Sequence, residues 1–303
     1  MEATRELLFG AMGTQVHLVA VDADPVVLEL GRQRIHELEA LWSRFREDSE
    51  ISRLNLAAPR PVRVSAETIE LVQRSLEGWQ ATSGAFDPTI LGDLVALGYH
   101  ASFEHLRENS PLPLPSRRRG EAGRVVVDRR NQTVRLPEGA ALDPGGIGKG
   151  LAADIMAEEM LEAGAGGVCV NVGGDLRVAG RPPTPSGWTV GVDDPFGGPP
   201  LTTLALQDGA IATSSRLGRT WMRSGVLRHH LLEPATGMPA STRLAAVTVV
   251  AGRGWWAEVL AKATFLAGPS AGVALLQQAG ATGLLLDDNR RLIAAPGMEA
   301  FLQ

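Results

Sequence analysis

Asp143-Pro144-Gly145-Gly146-Ile147-Gly148-Lys149-Gly150-Leu151-Ala152-Ala153-Asp154 is the densest local signal in the chain. Glycine lets a backbone approach a ligand closely. Here the glycines run into a helical pattern from about Ile147 to Ala163. A helix N-terminus offers free N–H groups and a dipole that favours an anion, so phosphate is the natural ligand. On the glycines alone, a tight turn into the helix is an equal reading. A Walker A loop needs glycine five residues before Gly148 and Ser or Thr after Lys149. Asp143 and Gly150 stand there instead. A Rossmann fingerprint can be assembled from Gly148, Gly150 and Ala153. It needs a strand directly before its first glycine, and Asp143-Pro144-Gly145-Gly146 is a poor strand end.

Outward from this segment the periodicity alternates between two kinds. Residues 15–21 read as a strand, 26–45 as an amphipathic helix, and 66–81 as a second helix capped by Ser65. Residues 124–128 and 133–136 flank a polar turn and read as a hairpin. Short strands follow at 168–172, 176–178, 188–192, 203–206, 210–213, 227–232 and 246–251. Helices at 256–266 and 271–278 precede a closing hairpin at 283–286 and 292–294. A Pro- and Arg-rich stretch at 110–120 reads as a surface loop. Strands in clusters joined by hairpins, with helices interspersed, predict an α+β fold rather than a regular βαβ alternation. The linker signals are too weak to divide the chain, so residues 1–303 are expected to form a single domain.

The 303 residues are 44% hydrophobic and 21% charged, which excludes a disordered chain, a collagen and a long coiled coil. One cysteine, Cys169, excludes an internal disulfide framework. A net charge of −5, with Arg117-Arg118-Arg119 as the one basic block, argues against nucleic acid. The start, Met-Glu-Ala-Thr-Arg-Glu, lacks the features of a signal peptide. No run of about 18 apolar residues was found for a membrane span. These readings predict a cytoplasmic protein. Of the 29 basic residues only Lys149 and Lys262 are lysine. Chance survival under a bias against lysine is one reading; places where a compact ammonium is needed and arginine's planar fork will not fit are the other.

Other motifs divide between chemistry and architecture. Gly268-Pro269-Ser270-Ala271-Gly272 matches a nucleophile elbow, but a helix precedes it and no histidine follows it. It reads as Gly268 ending one helix and Ser270 capping the next. Asn171-Val172-Gly173-Gly174-Asp175 marks a tight turn or a passing ligand. Thr213-Ser214-Ser215 places three hydroxyls after a strand, suited to phosphate oxygens or to a cap. In His229-His230-Leu231-Leu232-Glu233-Pro234-Ala235-Thr236-Gly237, His230 is the candidate general base, with Glu233 to orient it. A solvated surface strand is the competing reading. His17, His36, His100 and His105 have no companions and read as structural.

Taken in order, these blocks resemble the ApbE family of FAD:protein FMN transferases. The resemblance starts at Met12-Gly13-Thr14 and continues through Phe45, Ser49–Asn55 and Ser83-Gly84-Ala85-Phe86-Asp87-Pro88-Thr89. It then takes in Asp143–Asp154, Asn171–Asp175, Thr213-Ser214, His230–Gly237 and the helix from Ala257 to Gly268. No block is decisive alone; their shared order is. The resemblance implies antiparallel sheets flanked by helices, in two lobes with FAD between them. It implies transfer of FMN from FAD, with Mg2+, to a threonine in a flavinylation motif of an acceptor protein, with release of AMP. FAD hydrolysis to FMN and AMP, or FAD binding without catalysis, are the alternatives.

The resemblance places Met12, Phe45, Ala85, Phe86, Asp87, Asp143, Lys149 and Leu232 on the flavin nucleotide and gives His230 the acceptor's proton. Phe45 and Phe86 suit ring faces, and Asp87 and Asp143 can accept from ribose or ring N–H groups. Gly146 and Glu258 are the implied metal contacts. Here the chain departs from the family. The late helix carries Glu258 and Lys262 where the family has an aspartate and a threonine four residues apart. Glutamate can bind Mg2+ through oxygen, whereas lysine is donor-only. Glu233 also replaces an aspartate, and the aspartate common after Thr213-Ser214 is absent. Lys262 is therefore expected to act catalytically, replacing part of the metal's charge, against the alternative of an ordinary helical Glu–Lys pair.

Overall fold

The computed structural model describes residues 4–106 and 119–303. The stretch read as a loop at 110–120 lies outside the described residues, except for Arg119 and Gly120. The chain opens with strands β1 (Thr4–Ala11) and β2 (Thr14–Val21) and helix α1 (Pro25–Trp42). Helix α2 (Glu50–Ala57), strand β3 (Val62–Arg63) and helices α3 (Ala66–Ala81) and α4 (Leu91–Ala96) follow. Strands β4 (Val126–Asp128) and β5 (Thr133–Arg135) precede helix α5 (Gly148–Glu162). Next come β6 (Gly167–Val172), β7 (Asp175–Gly180), β8 (Trp188–Val192), β9 (Thr202–Leu206) and β10 (Gly209–Ser215). Two small hairpins follow, β11 (Thr220–Arg223) with β12 (Val226–His229) and β13 (Leu232–Glu233) with β14 (Met238–Pro239). Strand β15 (Leu244–Ala251), helix α6 (Gly254–Gln278) and strands β16 (Thr282–Asp287) and β17 (Leu292–Ala294) close the chain. The expected α+β architecture of antiparallel sheets and helices is the one observed.

Two compact units emerge from segments far apart in sequence. The first takes the described residues up to Glu37, Lys149–Ser215 and Arg243–Gln303; the second takes Leu38–Gly148 and Arg216–Thr242. Both are discontinuous, which is why composition shows no linker.

The first unit is built on an antiparallel sheet of order β1-β2-β6-β7-β10-β15-β16-β17. Strand β15 is buried along its whole length, as its run, apolar but for Thr248, requires. Helix α6 packs on β10, β15 and β16. The β8–β9 hairpin supplies Trp188, Val192, Leu204 and Leu206 to a core shared with Leu176, Val178, Ile211 and Val250. Two strand ends are closed by two-residue turns with both central residues at positive φ: Met12 (53°) with Gly13 (64°), and Gly173 (63°) with Gly174 (92°). Such turns match the twist of the strands they join. A Cβ on Gly173 would lie 2.4 Å from Thr14 Oγ1, so that glycine is needed where the two hairpin ends crowd together.

Several expectations need correction. Thr213-Ser214-Ser215 ends β10 rather than following it; Thr213 Oγ1 pairs with Thr248 Oγ1 (2.9 Å), and Ser215 Oγ donates to Ala245 O (3.1 Å). The strand read at 227–232 breaks at His230-Leu231. At the elbow-like motif Gly268 leaves the helix (φ 77°, ψ 179°) and Pro269 opens the next helical segment. The cap position is thus Gly268, not Ser270, because proline's fixed φ and missing N–H suit the first helical residue. Helix α6 is also long and apolar enough to cross a membrane by length and composition, which the sequence reading missed. Half of that window is buried on the sheet.

The second unit contains the β3-β5-β4 sheet and a core of Leu94, Tyr99, Trp221 and Leu232. Helix α2 was not expected. Ser49 caps it by accepting from Ser52 N (3.0 Å), and Glu50 accepts from Ser65 N (3.0 Å) and Ser65 Oγ (2.7 Å). Ser65 caps α3 as predicted, accepting from Thr68 N at 3.2 Å. The Ser49–Asn55 block thus ties two helix starts together. Its Asn55 clamps Leu142, next to Asp143, through paired backbone bonds of 3.0 and 2.7 Å.

Candidate active site

In the first unit, helices α5 and α6 cross at Gly150 and Gly254. A Cβ on Gly150 would lie 2.3 Å from Gly254 O, and one on Gly254 would lie 2.5 Å from Gly150 O. The backbones touch, so neither position tolerates a side chain. At this crossing each helix caps the other. Asp154 of α5 accepts from Gly254 N (2.8 Å) and Trp255 N (3.0 Å) at the start of α6. Glu258 of α6 accepts from Gly150 N (2.9 Å) at the start of α5. Each carboxylate satisfies N–H groups that the first helical turn leaves without intrahelical partners. Gly150→Ala forces a backbone clash and should cost about 2 kcal/mol, the scale of overpacking a tight core. A chemical denaturation midpoint equal to wild type would remove this account of the glycine.

The crossing places Lys149, second residue of α5, at the positive end of its helix, where a cation is disfavoured by about 0.3–1 kcal/mol. Buried acids offset this. Lys149 Nζ meets Asp175 Oδ2, at the start of β7, and Glu258 Oε1 (3.4 Å). Lys262 Nζ, one turn along α6, donates to the same Glu258 Oε1 at 3.1 Å. Glu258 is 1% exposed, while the side chains of Lys149 and Lys262 are 18% and 16% exposed. Burial pushes the Glu258 carboxyl up, but the charges of Lys149 and Lys262 and the Gly150 N–H outweigh it. The group sits below its ordinary value and is ionised. The chain's two lysines therefore converge on one carboxylate oxygen.

In the second unit, Asp143 is held beside the Arg44–Phe45 pair. Asp143 N donates to Pro88 O (2.8 Å), and Asp143 Oδ1 accepts from Gly145 N (3.1 Å) and pairs with Arg44 Nε (3.2 Å). The Arg44 guanidinium stands 4.2 Å from the Phe45 ring centroid and 4.6 Å from that of Tyr99. Its Nη1 donates to Tyr99 O (3.1 Å), and its buried Nη2 meets no partner among the described residues. Arg219 Nη1 donates to Tyr99 OH (3.2 Å), and the Arg219 carbonyl faces His230 Nδ1 at 3.4 Å. A carbonyl only accepts, so this contact places a proton on Nδ1. Glu233 was expected to orient this ring. Its Oε2 instead accepts from Thr236 Oγ1 (3.1 Å) in the β13–β14 turn.

Of the residues singled out from sequence, Met12, Lys149, Glu258 and Lys262 belong to the first unit. Phe45, Ala85, Phe86, Asp87, Asp143, Gly146, His230 and Leu232 belong to the second. Phe45 is 42% exposed and can cover a ring. Phe86 is buried, with its backbone N–H on Thr82 Oγ1. Asp87 Oδ1 is engaged by Thr89 N (2.7 Å) and Thr89 Oγ1 (2.6 Å). Leu232 fills the core, so what it offers a ligand is backbone. Sequence reading missed Arg44, Arg219 and the reciprocal roles of Asp154 and Asp175. Asp154 and Asp175 lay inside quoted motifs, but nothing local marked their partners.

The donor set does not suit Mg2+ at Glu258. That ion asks for near-octahedral oxygen ligands. Glu258 Oε1 already takes two ammonium groups and Oε2 an N–H, and Lys262 brings only donors. Among the described residues no group of three or more His, Cys, Asp or Glu is gathered as for a metal. Both Glu258 oxygens therefore already accept hydrogen bonds from the protein.

Residues 12–285 match the ApbE family. A curated relative from Treponema pallidum, called FAD:protein FMN transferase, is 29% identical over 87% of this chain and 78% of its own. A second of the same name, from Vibrio cholerae, is 26% identical over 96% of this chain and 90% of its own. The crystal structure of the ApbE protein from Thermotoga maritima is 28% identical and superposes with a TM-score of 0.87, covering 99% of this chain and 100% of that one.

Proposed function

The chain belongs to the ApbE family, and from that premise we propose that it is an FAD:protein FMN transferase. The observation that carries this reading to the site is the ammonium of Lys149 at the N-terminus of α5, held by the buried Asp175 and Glu258. An ammonium at this helix end, with its acids buried, suits a polyanion such as the FAD pyrophosphate. Phe45, Asp87, Asp143 and Met12 are the residues assigned to the flavin nucleotide. The hydroxyl of an acceptor threonine attacks the FMN-side phosphorus. The bond from that phosphorus to the bridging oxygen breaks, and AMP leaves carrying the oxygen. The threonine proton passes to His230 Nε2, and Lys149 offsets charge on the phosphoryl oxygens as it develops.

The test is nucleotide chromatography of the full chain with FAD, with and without an acceptor carrying an Asp-Gly-Ala-Thr segment, in Mg2+ and in EDTA. AMP released only with acceptor, without matching free FMN, is the expected result. Equal AMP and FMN without acceptor would make the protein a pyrophosphatase. Intact FAD throughout would leave a flavin-binding relative.

A further inference from the structure

We propose that Lys149 and Lys262, gathered on the buried Glu258 carboxylate, form a fixed dication that takes the place of a divalent metal at the FAD pyrophosphate. This inference rests on the transferase reading and adds that the reaction needs no metal ion. Two of 29 basic residues are lysine, and both place Nζ on the same oxygen, at 3.4 and 3.1 Å. The geometry explains the choice of residue. Two compact ammoniums can share Oε1, whereas an arginine fork would claim Oε2, which holds the start of α5. An exposed helical Glu–Lys pair at this spacing would contribute only about 0.2–0.5 kcal/mol. Glu258 is 1% exposed, so this is not such a pair.

The exposure pattern gives the cluster its polarity. Glu258 and Asp175 are 1% and 3% exposed, and the lysine side chains 16–18%. Formal charge balances, but the acids are buried and the side chains that solvent reaches are those of the lysines. A divalent cation arriving there meets two positive heads; a pyrophosphate meets two donors. Lys149 and Lys262 then act as catalytic residues in the strict sense, touching the oxygens of the reacting phosphates.

The experiment measures three things on the full chain: Mn2+ binding by electron paramagnetic resonance, FAD affinity in EDTA by flavin fluorescence, and AMP release with acceptor in Mg2+ or EDTA. Wild type should bind no stoichiometric Mn2+, bind FAD in EDTA, and release AMP at rates within about twofold in the two buffers. Lys262→Ala should lose about 100-fold in AMP release, the scale of removing one electrostatic donor, and about tenfold in FAD affinity. Lys262→Gln, which keeps a donor toward Glu258, should lose AMP release similarly while lowering the melting temperature less than Lys262→Ala does. Lys262→Thr, which places an oxygen donor one turn from Glu258, should gain Mn2+ binding. One tightly bound Mn2+ per wild-type chain, or activity lost in EDTA and restored by Mg2+, overturns the proposal. FAD affinity unchanged in both Lys262→Ala and Lys262→Gln overturns it as well. Absence of AMP in every buffer would sink the transferase reading instead; the Mn2+ and FAD measurements would still decide the dication.

Discussion

Glu258→Gln lowers the unfolding free energy by about 3 kcal/mol at neutral pH, the scale of breaking a buried ion pair from one side. The substitution keeps shape and an acceptor for Gly150 N, but removes the charge that faces Lys149 and Lys262. Lys149 retains Asp175. Among the described residues Lys262 pairs with no second carboxylate, so Glu258→Gln combined with Lys262→Gln should recover about half of the loss. The pH dependence follows from the direction of the shift. The folded carboxyl lies below its ordinary 4.5 because two ammoniums and an N–H outweigh burial. The unfolded chain therefore takes up the proton first on acidification. The stabilisation is complete above about pH 4.5 and is lost as pH falls from there toward the folded value. Urea midpoints of wild type and variant should converge below pH 4.5. Asp154 shifts the opposite way, because its burial outweighs the N–H groups of Gly254 and Trp255 and the charges of Arg253 and Arg177. The difference between wild type and Glu258→Gln cancels that contribution. A difference that persists undiminished to pH 3 would mean that Glu258 is not an ionised partner of the lysines.

The α+β class, most strands and helices α1, α3, α5 and the two segments of α6 were legible from period alone. Each carries a clear apolar repeat or a recognisable cap, such as Ser65. Helix α2 was not legible: its eight residues offer barely two turns, and what holds it is Glu50 on Ser65, a contact across the β3 segment. The two units were invisible because each is assembled from distant segments. At the site, residue types were legible and partnerships were not. Lys149 stood out by its rarity and its place in a glycine segment. Asp175, which answers it, sits 26 residues away and reads locally as the end of a hairpin turn. Arg44 was overlooked beside Phe45 because arginine is common in this chain, and only the fold shows its guanidinium between two rings.

The glycine segment also changes meaning. Read alone, its glycines could line a phosphate. In the fold, Gly150 is spent on the backbone contact with Gly254. That contact is what allows Asp154 and Glu258 to reach across and cap opposite helices. The anion at the start of α5 is therefore already present, as Glu258, and the phosphate chemistry passes to the ammonium groups that Glu258 gathers. The same glycine that looked like a ligand contact acts one step back, by fixing the distance between two helices.

His230→Ala lowers kcat for FMN transfer by about 100-fold or more, the usual share of a positioned general base. The ring is placed by the break between β12 and β13, and Arg219 O receives Nδ1–H. With a proton on Nδ1, the proposed reaction uses Nε2 for the threonine proton. Loss of the imidazole removes a proton acceptor but no nucleotide contact, so FAD affinity should change less than about twofold and the defect should lie in kcat rather than KM. Imidazole added to the His230→Ala protein should restore part of the rate, because it returns an acceptor to the vacated space. His229→Ala is the control: its Nε2 faces Ala240 O at 3.2 Å, in a separate contact. A structural role for His230 would lower the melting temperature and give no response to imidazole. Unchanged transfer in His230→Ala would take the residue out of the reaction and assign proton removal to solvent or to the acceptor itself.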